Sequence, residues 1–438
     1  SDFMTEKPSD EDVKKMYLRI TSRDNKVTRL AVDKIELVTE KEKELYKITA
    51  TAQDLIQHVD PSKTRNEYIH YIEKPRPKVD NVYYNFKDLV DAMNADKNGT
   101  FKIGADLNAT NVPTPKKWYV DGDFKGTLKS VEGKHYTIHN TERPLFKNII
   151  GGTVTKVNLG NVNINMPWAD RIAPIADTIK GGAKIEDVKV TGNVLGRNWV
   201  SGFIDKIDNQ GTLRNVAFIG NVTAVGDGGQ YLTGIVGENW KGLVEKAYVD
   251  ANLVGDKAKA AGIAYSSQNG GDNGAVSRDG AIKKSVAKGT INVAKPIENG
   301  GVVGSMKHHG SVEDSVSMMK VSNGEIFYGS SDIDYDDGYW TGNNVKRNYV
   351  VVGVSDGNSS YQRSKDKNRI KPISEEEAKS KIEATGISAD KYEINEPIVN
   401  RLNRLTRKED EYKTTQDYKS ERDLAYRNIE KLQPFYNK

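Results

Sequence analysis

Apolar and polar residues alternate along residues 16–52: Leu18 and Ile20, Leu30 and Val32, Ile35 and Leu37 after a change of parity, then Tyr46, Ile48 and Ala50. A period of two belongs to strands with one buried face, so residues 16–72 are expected to form a small antiparallel β-domain behind a tail at 1–15. The prolines of Glu73-Lys74-Pro75-Arg76-Pro77-Lys78 cannot extend a sheet and predict a stiff linker at 73–80. A helical spacing follows, with Phe86, Leu89, Val90 and Met93 behind the capping residue Asn85, and then the strand-like Phe101-Lys102-Ile103. Residues 81–150 therefore read as a lead-in with a capping helix.

From about residue 150 the pattern becomes periodic. A glycine, an apolar residue, two polar residues and a further apolar strand recur seven times, anchored at Val154, Ile185, Leu213, Val244, Ile282, Val312 and Val345. The intervals are 31, 28, 31, 38, 30 and 33 residues. A second row runs through Ile175, Phe203, Ile235, Ile263 and Val302, and a third through Gly160-Asn161-Val162, Gly192-Asn193-Val194, Gly220-Asn221-Val222 and Ala251-Asn252-Leu253. Three rows at one period mean three strand positions per turn. A propeller blade needs about 40 residues, whereas roughly 30 fits one rung of a stacked solenoid. The chain is thus expected to be mainly β: a right-handed parallel β-helix of about seven rungs over 151–365, with the recurring asparagines hydrogen-bonded up one corner.

Past Pro372 helical spacing returns. Ser374-Glu375-Glu376-Glu377 has the form of a capping box, and Ile398, Leu402, Leu405 and later Ala425, Ile429, Leu432 are spaced as on helices, so 366–438 reads as a helical segment. Its abrupt close at Asn437-Lys438 reads as a piece of a longer chain.

Composition narrows the function classes. Only 36% of the 438 residues are hydrophobic and 39 are glycine, which favours thin cores with many turns. The 65 basic and 61 acidic residues are intermixed, so nucleic acid is not expected as a partner. Without cysteine there is neither disulfide nor thiolate chemistry. No apolar run is long enough for a membrane-spanning helix, and no export or anchoring signal is recognisable in these residues.

Candidate chemistry is sparse. A zincin needs two histidines one helical turn apart with a glutamate between them, and none of the six histidines is followed by glutamate. His135 and His139 have the spacing but sit in a strand pattern, which holds them about 13 Å apart. His308-His309 lies at a turn and is expected to face both ways. Gly353-Val354-Ser355-Asp356-Gly357 imitates a nucleophile elbow, but no histidine follows it, and it reads as a glycine-rich turn. Asp332, Asp334 and Asp336 alternate as in a calcium loop, yet Asp337 and Asn343 stand where glycine and glutamate belong. Trp199 and Trp240 fall on different corners and read as packing residues. Tyr328, Tyr335, Tyr339 and Trp340 gather in the interruption 322–344 and are the candidate substrate contacts.

Several stretches resemble the region upstream of the catalytic domain in the streptococcal immunoglobulin A1 protease family of zinc metalloproteases. They are Tyr83-Tyr84-Asn85-Phe86-Lys87-Asp88-Leu89-Val90-Asp91-Ala92-Met93, Pro144-Leu145-Phe146 and Tyr426-Arg427-Asn428-Ile429-Glu430-Lys431-Leu432-Gln433-Pro434-Phe435-Tyr436-Asn437. Gly234-Ile235-Val236-Gly237 is similar to the GLUG repeat of that region. The resemblance implies a secreted or cell-wall Gram-positive protein that cuts the immunoglobulin A1 hinge in immune evasion. Zinc would belong to a later catalytic domain of the same chain, and no cofactor to the residues present. These would serve as a non-catalytic substrate-binding and positioning module. The competing readings are an adhesin-like module for host glycan or matrix, and a carbohydrate-active β-helix enzyme using clustered carboxylates.

Overall fold

The computed structural model describes residues 4–22, 25, 27–41, 43–51, 67–268, 281–307, 310–331, 345–358, 369–410 and 418–426. The chain divides into two units: residues 1–78 together with 396–438, and residues 79–395.

The first unit is built on a five-stranded antiparallel sheet in the order Tyr418–Tyr426, Met16–Ser22, Val27–Glu40, Lys43–Thr51, Glu67–Glu73. The parity change between Val32 and Ile35 is a β-bulge: the pairing slips between Val32 and Lys34, and Val32 and Ile35 are both buried. Leu18, Ile20, Leu30, Tyr46 and Ile48 form the core. The expected tail is packed, with Met4 and Val13 buried in this core and the Met4 carbonyl accepting a 2.7 Å bond from Tyr46 OH. Helix Ile398–Asp410 lies along the edge strand Glu67–Glu73, where Asn403 Oδ1 accepts from the Tyr71 amide (2.8 Å) and Nδ2 donates to its carbonyl (3.0 Å). A side chain thereby satisfies backbone groups that an open edge would expose. The expectation of helix through Ala425 is corrected: Tyr418–Tyr426 is a strand paired with Met16–Ser22, a partner remote in sequence that local spacing cannot reveal. Ile429 and Leu432 lie outside the described residues.

The second unit is a parallel β-solenoid of about 8 turns. All seven anchors stack in register, Val154 on Ile185, Leu213, Val244, Ile282, Val312 and Val345. The column continues downward through Leu128 to Phe101, which follow Gly126 and Gly99 by two residues as Val154 follows Gly152, so the supposed lead-in holds further rungs. Helix Phe86–Ala95, capped by Asn85, buries Phe86, Leu89 and Met93 in the same continuous core. Two residues after each anchor the chain bends through a left-handed residue: Lys156, Asp187, Asn215, Lys246, Lys284, Asp314 and Arg347 all have φ between 50° and 57°. Asparagine and aspartate tolerate this conformation better than lysine or arginine, and the stacking of neighbouring rungs holds all seven there.

The third row needs one correction. Gly192, Asn193 and Val194 do stack on Gly220, Asn221 and Val222, but below them a register slip places Asn163 and Ile164, not Asn161 and Val162, in the column. Amide ladders form on both sides of the slip. Asn221 Nδ2 donates to Asn193 Oδ1 at 2.7 Å, and Asn161 Nδ2 donates to Asn140 Oδ1 at 2.7 Å, which is bonded on to Asn108.

Candidate functional site

Among the described residues, a constellation of charged and aromatic side chains lies where the short strands Arg171–Ile172, Trp199–Ser201 and Gln230–Thr233 meet the eight-stranded parallel sheet. Backbone register stacks Arg171 on Trp199, Trp199 on Tyr231 and Tyr231 on Lys259. Rungs one strand spacing apart force these side chains together. The Trp199 and Tyr231 rings are parallel within 9° at 3.6 Å, the Arg171 guanidinium lies 4.3 Å from the Trp199 ring, and Lys259 Nζ lies 5.6 Å from the Tyr231 ring. The stack thus places two aromatic rings between two cations.

The adjoining sheet brings Asp177, Asp205 and Glu238 from three successive strands to the same place. Arg171 joins two of them, donating from Nε to Asp205 Oδ2 at 2.6 Å and from Nη2 to Glu238 Oε2 at 2.9 Å. Lys117 Nζ lies 3.6 Å from Asp177. Asp205 is 3% exposed, and its Oδ1 is buried without a hydrogen-bond partner. Burial pushes the Asp205 carboxyl up to about 7, with Asp177 and Glu238 adding to the rise and Arg171 opposing it. Burial also raises Asp177, against the pull of Lys117. Higher on the same face, Tyr265 OH donates to Glu298 Oε2 at 3.2 Å, and burial with the nearby Glu298 charge raises its phenol far above the usual range.

Such a cluster can hold charge and a proton, but it is poorly placed for sugar chemistry. The faces of Trp199 and Tyr231 that a sugar ring would need are taken by Arg171, Lys259 and each other, and Asp205 is committed to Arg171. A signal for this cluster was present in the sequence. Arg171, Trp199, Tyr231, Lys259 and Glu298 each precede a second-row residue by four, and Asp177, Asp205 and Tyr265 each follow one by two.

Of the candidate contacts, Tyr328 is corrected: it begins strand Tyr328–Ser331 and is fully buried in the solenoid core, because its position continues the inward-facing column. Tyr335, Tyr339 and Trp340 lie outside the described residues, as do the calcium candidates Asp332, Asp334 and Asp336, and His308-His309. Trp240 is 38% exposed, in a different column from Trp199. Ser355 Oγ donates to the Ser317 carbonyl within a turn flanked by Gly353 and Gly357 at positive φ. His135 is bonded through Nε2 to Asn158 Oδ1, and His139 ends strand Tyr136–His139. Among the described residues no group of three or more histidines, cysteines, aspartates or glutamates is arranged to hold a metal ion. No described helix is long and apolar enough to cross a membrane.

The fold is similar to that of a solved structure described as IgA1 Protease, with a TM-score of 0.57 at 21% identity over 90% of this chain and 33% of that one. Residues 1–192 match the M26 IgA1-specific Metallo-endopeptidase N-terminal region, and the chain belongs to that region of the M26 family. It is 38% identical over 98% of its length to the zinc metalloprotease ZmpB of Streptococcus pneumoniae, and 31% identical over 96% to an immunoglobulin A1 protease of the same species. The chain spans about a fifth of the length of these relatives, 22% in each case.

Proposed function

We propose that this region is the non-catalytic substrate-positioning module of a secreted or cell-wall zinc metalloendopeptidase. It presents a large protein substrate, immunoglobulin A1, to a catalytic domain elsewhere in the same chain. The observation that carries this reading is a change at one corner of the solenoid. After the eight-stranded sheet, the lower rungs turn in two residues, Gly151-Gly152, Gly181-Gly182, Asn209-Gln210 and Lys241-Gly242. Higher up, the strands on either side of 269–280 and of 332–344 remain in register, Gln268 on Lys307, Met306 on Ser331, Ala281 on Ser311 and Val312 on Val345, so the sequence there is longer than the two residues the lower rungs use. Rungs spend their side chains on the core and on the columns, so specificity falls to segments that break the period.

Tyr335, Tyr339 and Trp340 supply aromatic anchors within one of these segments, beside the acidic Asp332, Asp334 and Asp336 that would steer a basic surface. The test replaces Tyr339 and Trp340 with alanine and measures antibody affinity and melting temperature together. A loss of roughly 30-fold, about 2 kcal/mol, at unchanged melting is expected. Unchanged affinity would refute the placement.

A further inference from the structure

The segment that leaves the last rung turns back over the outside of the solenoid, held by side chains instead of a strand ladder. Between helix Glu375–Ala384 and Asn395 its one regular element is the 3-10 turn Ala389–Lys391. Asn215, at its left-handed corner, is the central clasp. Its Oδ1 accepts from the amides of Ser388 and Ala389, both at 2.9 Å, and its Nδ2 faces Ser388 Oγ at 2.9 Å, Tyr392 OH at 3.0 Å and Asp187 Oδ1 at 2.7 Å. On the rung below, Lys189 Nζ donates to the carbonyls of Asp390 (2.7 Å) and Tyr392 (2.9 Å). Nearer the base, the His135 ring lies 4.3 Å from the Tyr392 ring.

Gly160 completes this seat. Its φ is not left-handed, so conformation does not demand glycine, but a Cβ there would come within 2.6 Å of Ile394 Cγ2 and 3.0 Å of His139 Nδ1. The bare backbone is what lets the returning segment lie flat. The glycine that opens the third row thus has a different task from Gly192 and Gly220, whose φ values are +136° and +157°.

We propose that residues 385–395 form a strap that opens and closes as a unit of its own, with Asn215, Lys189 and Gly160 as its seat on the solenoid. The residues that carry the seat also belong to strands whose neighbours Val188, Val190 and Val216 are buried in the common core, so the rungs do not depend on the strap. The strap itself fully buries Ala389, and few buried apolar contacts mean a low opening free energy. Closed, residues 385–395 are held against the rungs; open, these roughly eleven residues become a tether of up to about 36 Å. This inference does not depend on what the module binds.

The test is hydrogen exchange read by mass spectrometry on the whole 438-residue chain, comparing the parent with Gly160→Ala, which wedges the seat, and Tyr392→Ala, which alters only the strap. Both variants are expected to speed exchange across 385–395 at least tenfold while the rung peptides spanning 183–224 stay as protected as in the parent. If neither variant changes exchange in 385–395, or if strap and rungs lose protection together, the strap is not an independent latch and the proposal fails.

Discussion

The solenoid and the small sheet solve the same problem, satisfying strand edges, by opposite means. In the solenoid each strand pairs with the equivalent strand one rung away, so each interval of about 30 residues repeats the same set of contacts. In the small sheet the strand Met16–Ser22 is flanked on one side by its neighbour Val27–Glu40 and on the other by Tyr418–Tyr426. The first arrangement is written in the sequence as a period. In the second, the strands of residues 16–73 show as local alternation, and only the pairing with Tyr418–Tyr426 is written nowhere locally, because its partner is remote in sequence. Nearest-rung pairing also makes the solenoid accountable to itself, whereas the small sheet is complete only when the chain has returned.

The largest expected effect sharpens that difference. Ile235 is fully buried between Phe203 and Ile263 of its column, and Ile235→Asp places an unpaired carboxylate there, at a cost of about 4 kcal/mol or more. Exchange protection should collapse through the adjacent rungs while the pairing of Met16–Ser22 with Val27–Glu40 is retained. Ile48→Asp, in the core of the small sheet, should do the reverse. If either variant unfolds both units equally, the separation drawn between them is wrong.

A smaller effect is expected from pH. Asp205 titrates near 7 in the folded chain against about 3.9 unfolded, so the folded state binds the extra proton between those values. Stability is therefore highest below the unfolded value and falls as pH rises through the folded one, a loss of about 1 kcal/mol between pH 6 and pH 8. Denaturant melts should show the solenoid weaker at pH 8, and Asp205→Asn should remove most of that slope. A rise in stability with pH that the variant abolishes would mean that Arg171 outweighs burial.

What could be read in advance follows from the same contrast. The seven anchors, all in true register, were legible because an inward column must be apolar at every rung. The rungs at Phe101 and Leu128 have the same glycine two residues earlier, Gly99 and Gly126, but were missed because no Gly-Asn-apolar triplet of the third row accompanies them. Gly160 and Asn161 were placed two residues out of register because a bulge shifts the pairing while leaving the sequence pattern unchanged. A further signal went unused. The residues one step beyond the anchors, Glu186, Arg214, Glu245, Lys283, Glu313 and Lys346, stack with strictly alternating charge, and Arg214 reaches Glu186 at 2.9 Å. Like charges one rung apart would repel, so alternation favours this stacking order over others. The cluster around Arg171 and Asp205 was written in the sequence only as fixed offsets from the second row, and went unread because its members are scattered over more than sixty residues and are joined only by stacking.

The most direct measurement is the folding of residues 79–395 expressed without the rest of the chain. Nearest-rung pairing predicts a cooperatively folded domain with a β-dominated circular dichroism spectrum and a melting temperature within a few degrees of the solenoid transition in the full chain. An unfolded or aggregated fragment, recovered only when residues 1–78 and 396–438 are restored, would contradict it.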